Sequence, residues 1–225
     1  MTEAFLSTDE FSIYKNERNN TFFTIQFEEN SEPLINSLMK TKLILITDIS
    51  DEYKTFSFRA SSVKSLKRFL SKRENITYEN SLKIILCLSN QFQYLITKEK
   101  LCFYKFIIEN IIVIDDEKFV YLSNEDLFEL SKTNKIRFTQ PFNYEGFISP
   151  ELLEIKSIPA ELNYKSIYYS LGALVVYFLF EKNINNDENK NILNEILKPI
   201  EGTKLFGLLN RCLFEEVNKR AIIYF

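Results

Sequence analysis

Ile148-Ser149-Pro150-Glu151, Ser170-Leu171-Gly172 and Glu216-Val217-Asn218-Lys219-Arg220 follow one another through the last third of this 225-residue chain. Between the first and the last lies the strongest apolar run, Ile167 to Phe180, interrupted by Ser170 and Gly172 and bounded by Lys165 and Glu181. Such a run is too short to span a bilayer comfortably. A buried central helix is expected there.

Upstream, Phe11–Tyr14, Thr21–Phe27, Lys42–Thr47 and Tyr53–Phe58 are rich in aromatic and β-branched residues and separated by polar stretches, which predicts short strands. Asn30-Ser31-Glu32-Pro33 before Leu34–Met39 predicts a helix start with a cap and an early proline. After Phe58 the period changes. Ser62–Ser71 and Tyr78–Ile96 carry Val63, Leu66, Phe69 and Leu70, then Leu82, Ile85, Leu86, Leu88, Phe92 and Leu95, at helical intervals, which predicts two amphipathic helices. Ile111–Ile114 and Lys118–Leu122 flank Asp115-Asp116-Glu117 as a strand pair with a polar turn. From Leu162 onward the chain is expected to be helical, apart from a solvated Asn-rich loop at Asn183–Asn191. No internal repeat or Gly/Ser linker divides it.

Composition bounds the chemistry. Apolar residues make up 45% and aromatics 15%, enough for a sizeable core. A net charge of −3, from 28 basic and 31 acidic residues, gives no bulk attraction to nucleic acid or to an anionic membrane. The absence of histidine excludes imidazole bases, Ser-His and Cys-His nucleophile pairs and His-containing zinc sites. Cys87, Cys102 and Cys212 are odd in number and lack paired spacing, so buried free thiols in a reducing compartment are expected. The stretch Met1 to Asp9 carries acids and no basic segment leading into an apolar one, so a cytoplasmic location is expected.

In order and spacing, the opening motifs resemble the large lobe of a protein kinase, and the sequence of small sheet, two helices, strand pair and helices is similar to that fold over essentially the whole chain. The resemblance implies an α+β, two-lobed kinase-like fold, with a reduced, β-rich small lobe over 1–59 and a mainly helical large lobe over 60–225. Ser149-Pro150-Glu151 resembles the Ala-Pro-Glu element that closes the activation segment. Arg220 stands where the family has the arginine that pairs with that glutamate, so a buried Glu151–Arg220 ion pair is implied. Tyr164 to Gly172 resembles the start of the central helix, with Ser166 at the position of an aspartate that braces the catalytic loop and Gly172 as a structural glycine.

The same frame puts Phe103-Tyr104-Lys105 in place of His-Arg-Asp, with Asn110 on the metal-binding asparagine as the one retained metal-type residue. An ammonium at Lys105 can neither orient a substrate hydroxyl nor accept its proton. Asn124 falls on the metal aspartate, where a neutral amide cannot neutralise a phosphate-bridging ion. Asp115, Asp116 or Asp126 could substitute only if the frame slid. All four glycines, Gly146, Gly172, Gly202 and Gly207, lie in the later half, so no glycine loop covers a nucleotide. Gln26 replaces the phosphate-binding lysine; Lys40 or Lys42 taking over that role would still leave the base and the glycine loop absent, and Glu28, Glu29 and Glu32 read as solvated acids. Phe103 and Tyr104 are expected in the core.

These losses describe a pseudokinase. What the resemblance implies is an inactive protein-interaction scaffold, adaptor or allosteric regulator, with no cofactor, metal or nucleotide and with another protein as partner, an active kinase or other enzyme included. Tyr53, Phe56, Tyr144, Phe147, Tyr168, Tyr169, Tyr224 and Phe225 form the aromatic pool for such contacts. The sequence ends at Ala221-Ile222-Ile223-Tyr224-Phe225, where the family continues into a last helix, and this apolar terminus is expected to bury itself in the vacated groove, the alternative being that it is offered to another protein. The alternatives are a divergent nucleotide-binding phosphotransferase or nucleotidyltransferase, and a structural subunit of a large assembly.

Overall fold

The computed structural model describes residues 4–185 and 192–222. The fold is mixed α+β with several small antiparallel sheets. Two compact units are interleaved in sequence: Met1–Asn75, Leu86–Glu99 and Ile108–Glu125 form the first, and Ile76–Ile85, Lys100–Ile107 and Asp126–Phe225 the second.

In the first unit β1 (Leu6–Ser7), β2 (Phe11–Lys15), β3 (Phe22–Phe27), β4 (Ile46–Ile49) and β5 (Thr55–Arg59) make a five-stranded sheet in the order β1-β2-β3-β5-β4. Helix α1 (Glu32–Lys40) is inserted between β3 and β4 in the chain. Alternation explains the strands, since Phe11, Ile13, Phe23, Ile25 and Phe27 are buried while Gln26 between them is exposed. Facing rings lock the register, with Phe23 stacked on Phe58 at 5.9 Å. Pro33 in the first turn of α1, with Glu32 beside it and Lys40 in the last, suits the helix termini.

Two expectations shift here. Lys42–Thr47 is not a strand throughout: Lys42 has φ 57, Leu43 and Ile44 are buried after the helix, and β4 starts only at Ile46. Ser62–Ser71 is not one helix. Val63–Ser65 forms β6, pairing with Ile112–Ile114 of β8 (Ile111–Ile114), and only Leu66–Leu70 is helical, as α2. Ser65 ends the strand and caps the helix, its Oγ accepting the N–H of Arg68 at 3.2 Å.

Strand β8 is buried at every position, which accounts for its unbroken apolar run. β9 (Lys118–Tyr121) completes the order β6-β8-β9. Helix α3 (Tyr78–Tyr94) sends Gln91 to Tyr121, where its amide donates to the carbonyl at 2.8 Å and accepts the N–H at 3.0 Å. That amide satisfies an edge a strand would otherwise leave open. Leu86, read from its spacing as part of the apolar face, is 44% exposed.

The second unit contains β7 (Leu101–Phe103) paired with β10 (Leu127–Glu129), and β11 (Lys135–Phe138) paired with β12 (Ala160–Asn163). Leu162 therefore belongs to a strand, and the helical stretch begins later, with α5 (Ser166–Phe180), preceded by the short α4 (Pro150–Leu153). All of α5 from Ser166 to Val176 is buried. Gly172 permits this density, because a Cβ there would stand 2.8 Å from Leu213 Cδ2. Cys102 and Cys212 are buried free thiols, but Cys87 is partly exposed, because its position on α3 does not face the core. Among the described residues no helix is long and apolar enough to cross a membrane. Residues 186–191 of the Asn-rich stretch, and Ile223, Tyr224 and Phe225 of the apolar terminus, lie outside the described residues.

Candidate functional site

In the first unit the turn between β1 and β2 presents a carboxylate to the residues around Asn110 and Asn124. Thr8 shapes that turn: its Oγ1 accepts the N–H groups of Glu10 and Phe11, each at 3.2 Å. Glu10 Oε1 then accepts from Asn110 Nδ2 and from Ser123 Oγ, both at 2.7 Å. Its Oε2 accepts the backbone N–H groups of Asn124 at 2.8 Å and Glu125 at 3.2 Å. Two successive amides aimed at one point make a small anion-binding concavity, filled here by the protein's own carboxylate. Asn124 Nδ2 donates to Ser31 Oγ at 2.5 Å, and the Leu122 N–H donates to the Asn110 carbonyl at 2.9 Å. Asn110 and Asn124 are thus brought together, on a glutamate rather than on open space.

These four bonds match the lone-pair capacity of one carboxylate. The pocket beside it is lined by Asp9, Glu10, Glu28, Glu29, Asn124 and Glu125, a lining that repels phosphate. Glu28, Glu29 and Glu32 are exposed. Gln26 lies on β3 opposite Ser12 and Thr55, and both Lys40 and Lys42 are exposed. Asp115 and Asp116 sit in the β8–β9 turn at φ 55 and 58. Asp115 Oδ1 accepts the N–H groups of Ser61 at 2.6 Å and Ser62 at 3.0 Å, and Asp116 pairs with Lys64 at 2.6 Å. Both acids are engaged in joining the turn to the start of β6.

In the second unit Lys105 follows β7 and is fully buried. Its Nζ lies 3.2 Å from Asp126 Oδ1, donates to Asn143 Oδ1, and stands 5.2 Å from the centre of the Tyr104 ring. Asp126 is only 2% exposed, so this is a sealed ion pair. The Tyr104 N–H donates to the Asp126 carbonyl at 3.3 Å. Phe103 and Tyr104 are core residues, Tyr104 packing edge-on against Phe128 and Phe138 at 5.3 and 5.4 Å. Gly146 permits the next segment to close over them: at φ 86 its backbone lies so near the Phe106 carbonyl that a Cβ would meet the oxygen.

Elsewhere in the second unit, Arg220 is fully buried and forms a two-bond fork with Glu151, Nη1 donating to Oε2 at 3.1 Å and Nη2 to Oε1. Nε donates to the Phe214 carbonyl at 2.7 Å and Nη2 also to that of Glu215 at 3.2 Å. The guanidinium lies 4.9 Å from the Tyr169 ring centre. Burial pushes the Tyr169 hydroxyl up to about 12, against the opposing pull of Arg220. Ser166 is buried and its hydroxyl has no hydrogen-bond partner among the described residues, so nothing charged braces a loop from this position. Of the aromatic pool, Phe56, Phe147, Tyr168 and Tyr169 are core, Tyr53 is in a turn and Tyr144 is exposed, donating to the Ile155 carbonyl at 2.8 Å. Tyr224 and Phe225 lie outside the described residues.

Sequence reasoning missed Glu10 and did not foresee the pairing of Asp126 with Lys105. Neither belongs to a motif, and each acquires its role from partners far along the chain. Comparison of the sequence with protein-family models and with curated proteins found no match.

Proposed function

We propose that this chain is a degenerate protein-kinase-like protein that transfers no phosphate and works by protein contact, as a scaffold, adaptor or allosteric partner. The observation that carries the reading is the Glu10 carboxylate, which saturates Asn110, Ser123 and the Asn124 and Glu125 amides where the resemblance would put metal and phosphate. A ligand there would have to displace four hydrogen bonds and enter against neighbouring acids. Lys105, at the position of the catalytic base, is committed to Asp126, which also removes that aspartate as a substitute metal ligand.

The architecture supports the fold half of the proposal. A five-stranded antiparallel sheet with a helix between its third and fourth strands agrees with the small lobe that the resemblance implies. Gln26 stands on the third strand, the one that carries the phosphate-binding lysine in kinases. The fork of Arg220 on Glu151 agrees with the large-lobe alignment.

A thermal-shift titration with ATP, with and without magnesium or manganese, tests this, since binding to the folded state must raise its melting temperature. No shift at millimolar nucleotide is expected. A metal-dependent rise that disappears in Asn110→Ala and Asn124→Ala would sink the proposal in favour of a divergent phosphotransferase.

A further inference from the structure

The first unit has a second pocket of opposite charge. It is a groove of about 340 Å³, large enough for a ligand side chain, and its wall brings together Phe5, Lys15, Phe23, Lys64, Arg68 and Lys72. No acid lines it. Lys15 ends β2 with its Nζ 5.9 Å from the Phe23 ring centre, Lys64 projects from β6, and Arg68 and Lys72 stand four residues apart across the end of α2. Of these four cations, only Lys64 has an ion pair among the described residues. Phe5 packs edge-on to Phe23 at 5.9 Å yet stays 41% exposed beside the cations.

In a chain of net charge −3, Lys15, Arg68 and Lys72, gathered in one groove beside a Lys64 that Asp116 already neutralises, repel one another, an arrangement that an anionic partner relieves. We propose that this groove docks an acidic segment of a partner protein, seating a phosphorylated side chain among Lys15, Arg68 and Lys72 and an apolar neighbour against Phe5. Arg68 offers the fork that matches a phosphate, and the lysines add point charges. The concave, side-chain-sized form with an aromatic wall suits a peptide. A bilayer meets a flat face, and a nucleic-acid backbone needs a longer track of cations. The choice of a protein as carrier rests on the protein-contact reading; the anion site itself does not depend on the loss of nucleotide chemistry.

Fluorescence anisotropy with the full chain tests this, using a labelled peptide carrying one phosphoserine flanked by Glu and Leu. Its unphosphorylated twin, a short oligouridylate and phosphatidylserine-containing vesicles are the other arms. Saturable binding of the phosphopeptide is expected, weaker for the twin and weakened several-fold by salt. The K15E/R68E/K72E variant should bind about tenfold more weakly or worse with an unchanged melting temperature, as surface substitutions usually allow. K72E alone serves if the triple variant does not fold. Absence of saturable phosphopeptide binding, or equal binding by the variant, overturns the site. Preference for the oligouridylate or the vesicles overturns the protein partner. The ATP titration reads the Glu10 region separately, so a failed peptide with no nucleotide shift removes the groove and leaves the inactive-kinase reading intact.

Discussion

Glu10 in the first unit is half-buried and held by amides and a hydroxyl, whereas Asp126 in the second is sealed from water and held by the Lys105 ammonium. On the proposed kinase-like reading both carboxylates stand at or beside positions where phosphoryl transfer would need an available charge, and both are committed to the protein's own groups. The contrast lies in what each arrangement tolerates. A half-buried carboxylate keeps contact with solvent, so its removal leaves donors that water can reach. A sealed pair has no such recourse, since either charge alone is stranded in a low dielectric.

The largest expected effect follows from that difference. Lys105→Ala leaves the Asp126 charge buried and should cost about 3–5 kcal/mol in urea unfolding, while Lys105→Met with Asp126→Leu should recover most of the loss. A double variant as unstable as the single one would mean that Asn143 and Tyr104, and not charge pairing, set the stability of this region.

Next comes Gly146→Ala, which forces a Cβ onto the Phe106 carbonyl at a positive φ and should cost about 2–3 kcal/mol. The same unfolding measurement checks it, and wild-type stability would show that the segment carrying Asn143 does not need this close approach.

Glu10→Gln should cost less, about 1–2 kcal/mol, because one amide oxygen replaces two carboxylate acceptors while solvent remains near. A loss as large as that of Lys105→Ala would erase the contrast between the two regions. The smallest effect is a reactivity pattern that leaves the fold intact. Burial pushes the Cys212 thiol up to about 12 and raises that of Cys102 as well, so at about pH 8 a thiol reagent should label Cys87 alone until the protein is unfolded. Rapid labelling of all three in the native state would mean that the helical region around Cys212 opens readily.

What could be read locally was read well. Phe11–Lys15 and Phe22–Phe27 declare themselves by aromatic and β-branched content, α1 by its early proline, α3 by apolar period and α5 by its apolar run, each within a few neighbouring residues. The β8–β9 hairpin does so by two apolar runs around Asp115 and Asp116. The misreadings share a cause. Val63–Ser65 scans as the start of a helix because Val63, Leu66 and Phe69 are helically spaced, yet its backbone pairs with β8 some fifty residues later. Likewise β7 finds β10, and β11 finds β12, across intervals over which sequence patterning carries no register.

The candidate site divides in the same way. From sequence alone came the mixed α and β plan, the absence of histidine and early glycine, and the neutral or cationic residues Gln26, Lys105 and Asn124, because residue identity sets which proton and metal chemistry a position can perform. Only the tertiary structure decided that Glu10 fills the concavity of Asn110 and Asn124, that Asp126 answers Lys105, and that Lys15, Arg68 and Lys72 share one groove. Hydrogen bonds and charge pairing act over a few ångströms in space. Only the packed chain could say which side chains, up to 113 residues apart, come within that reach.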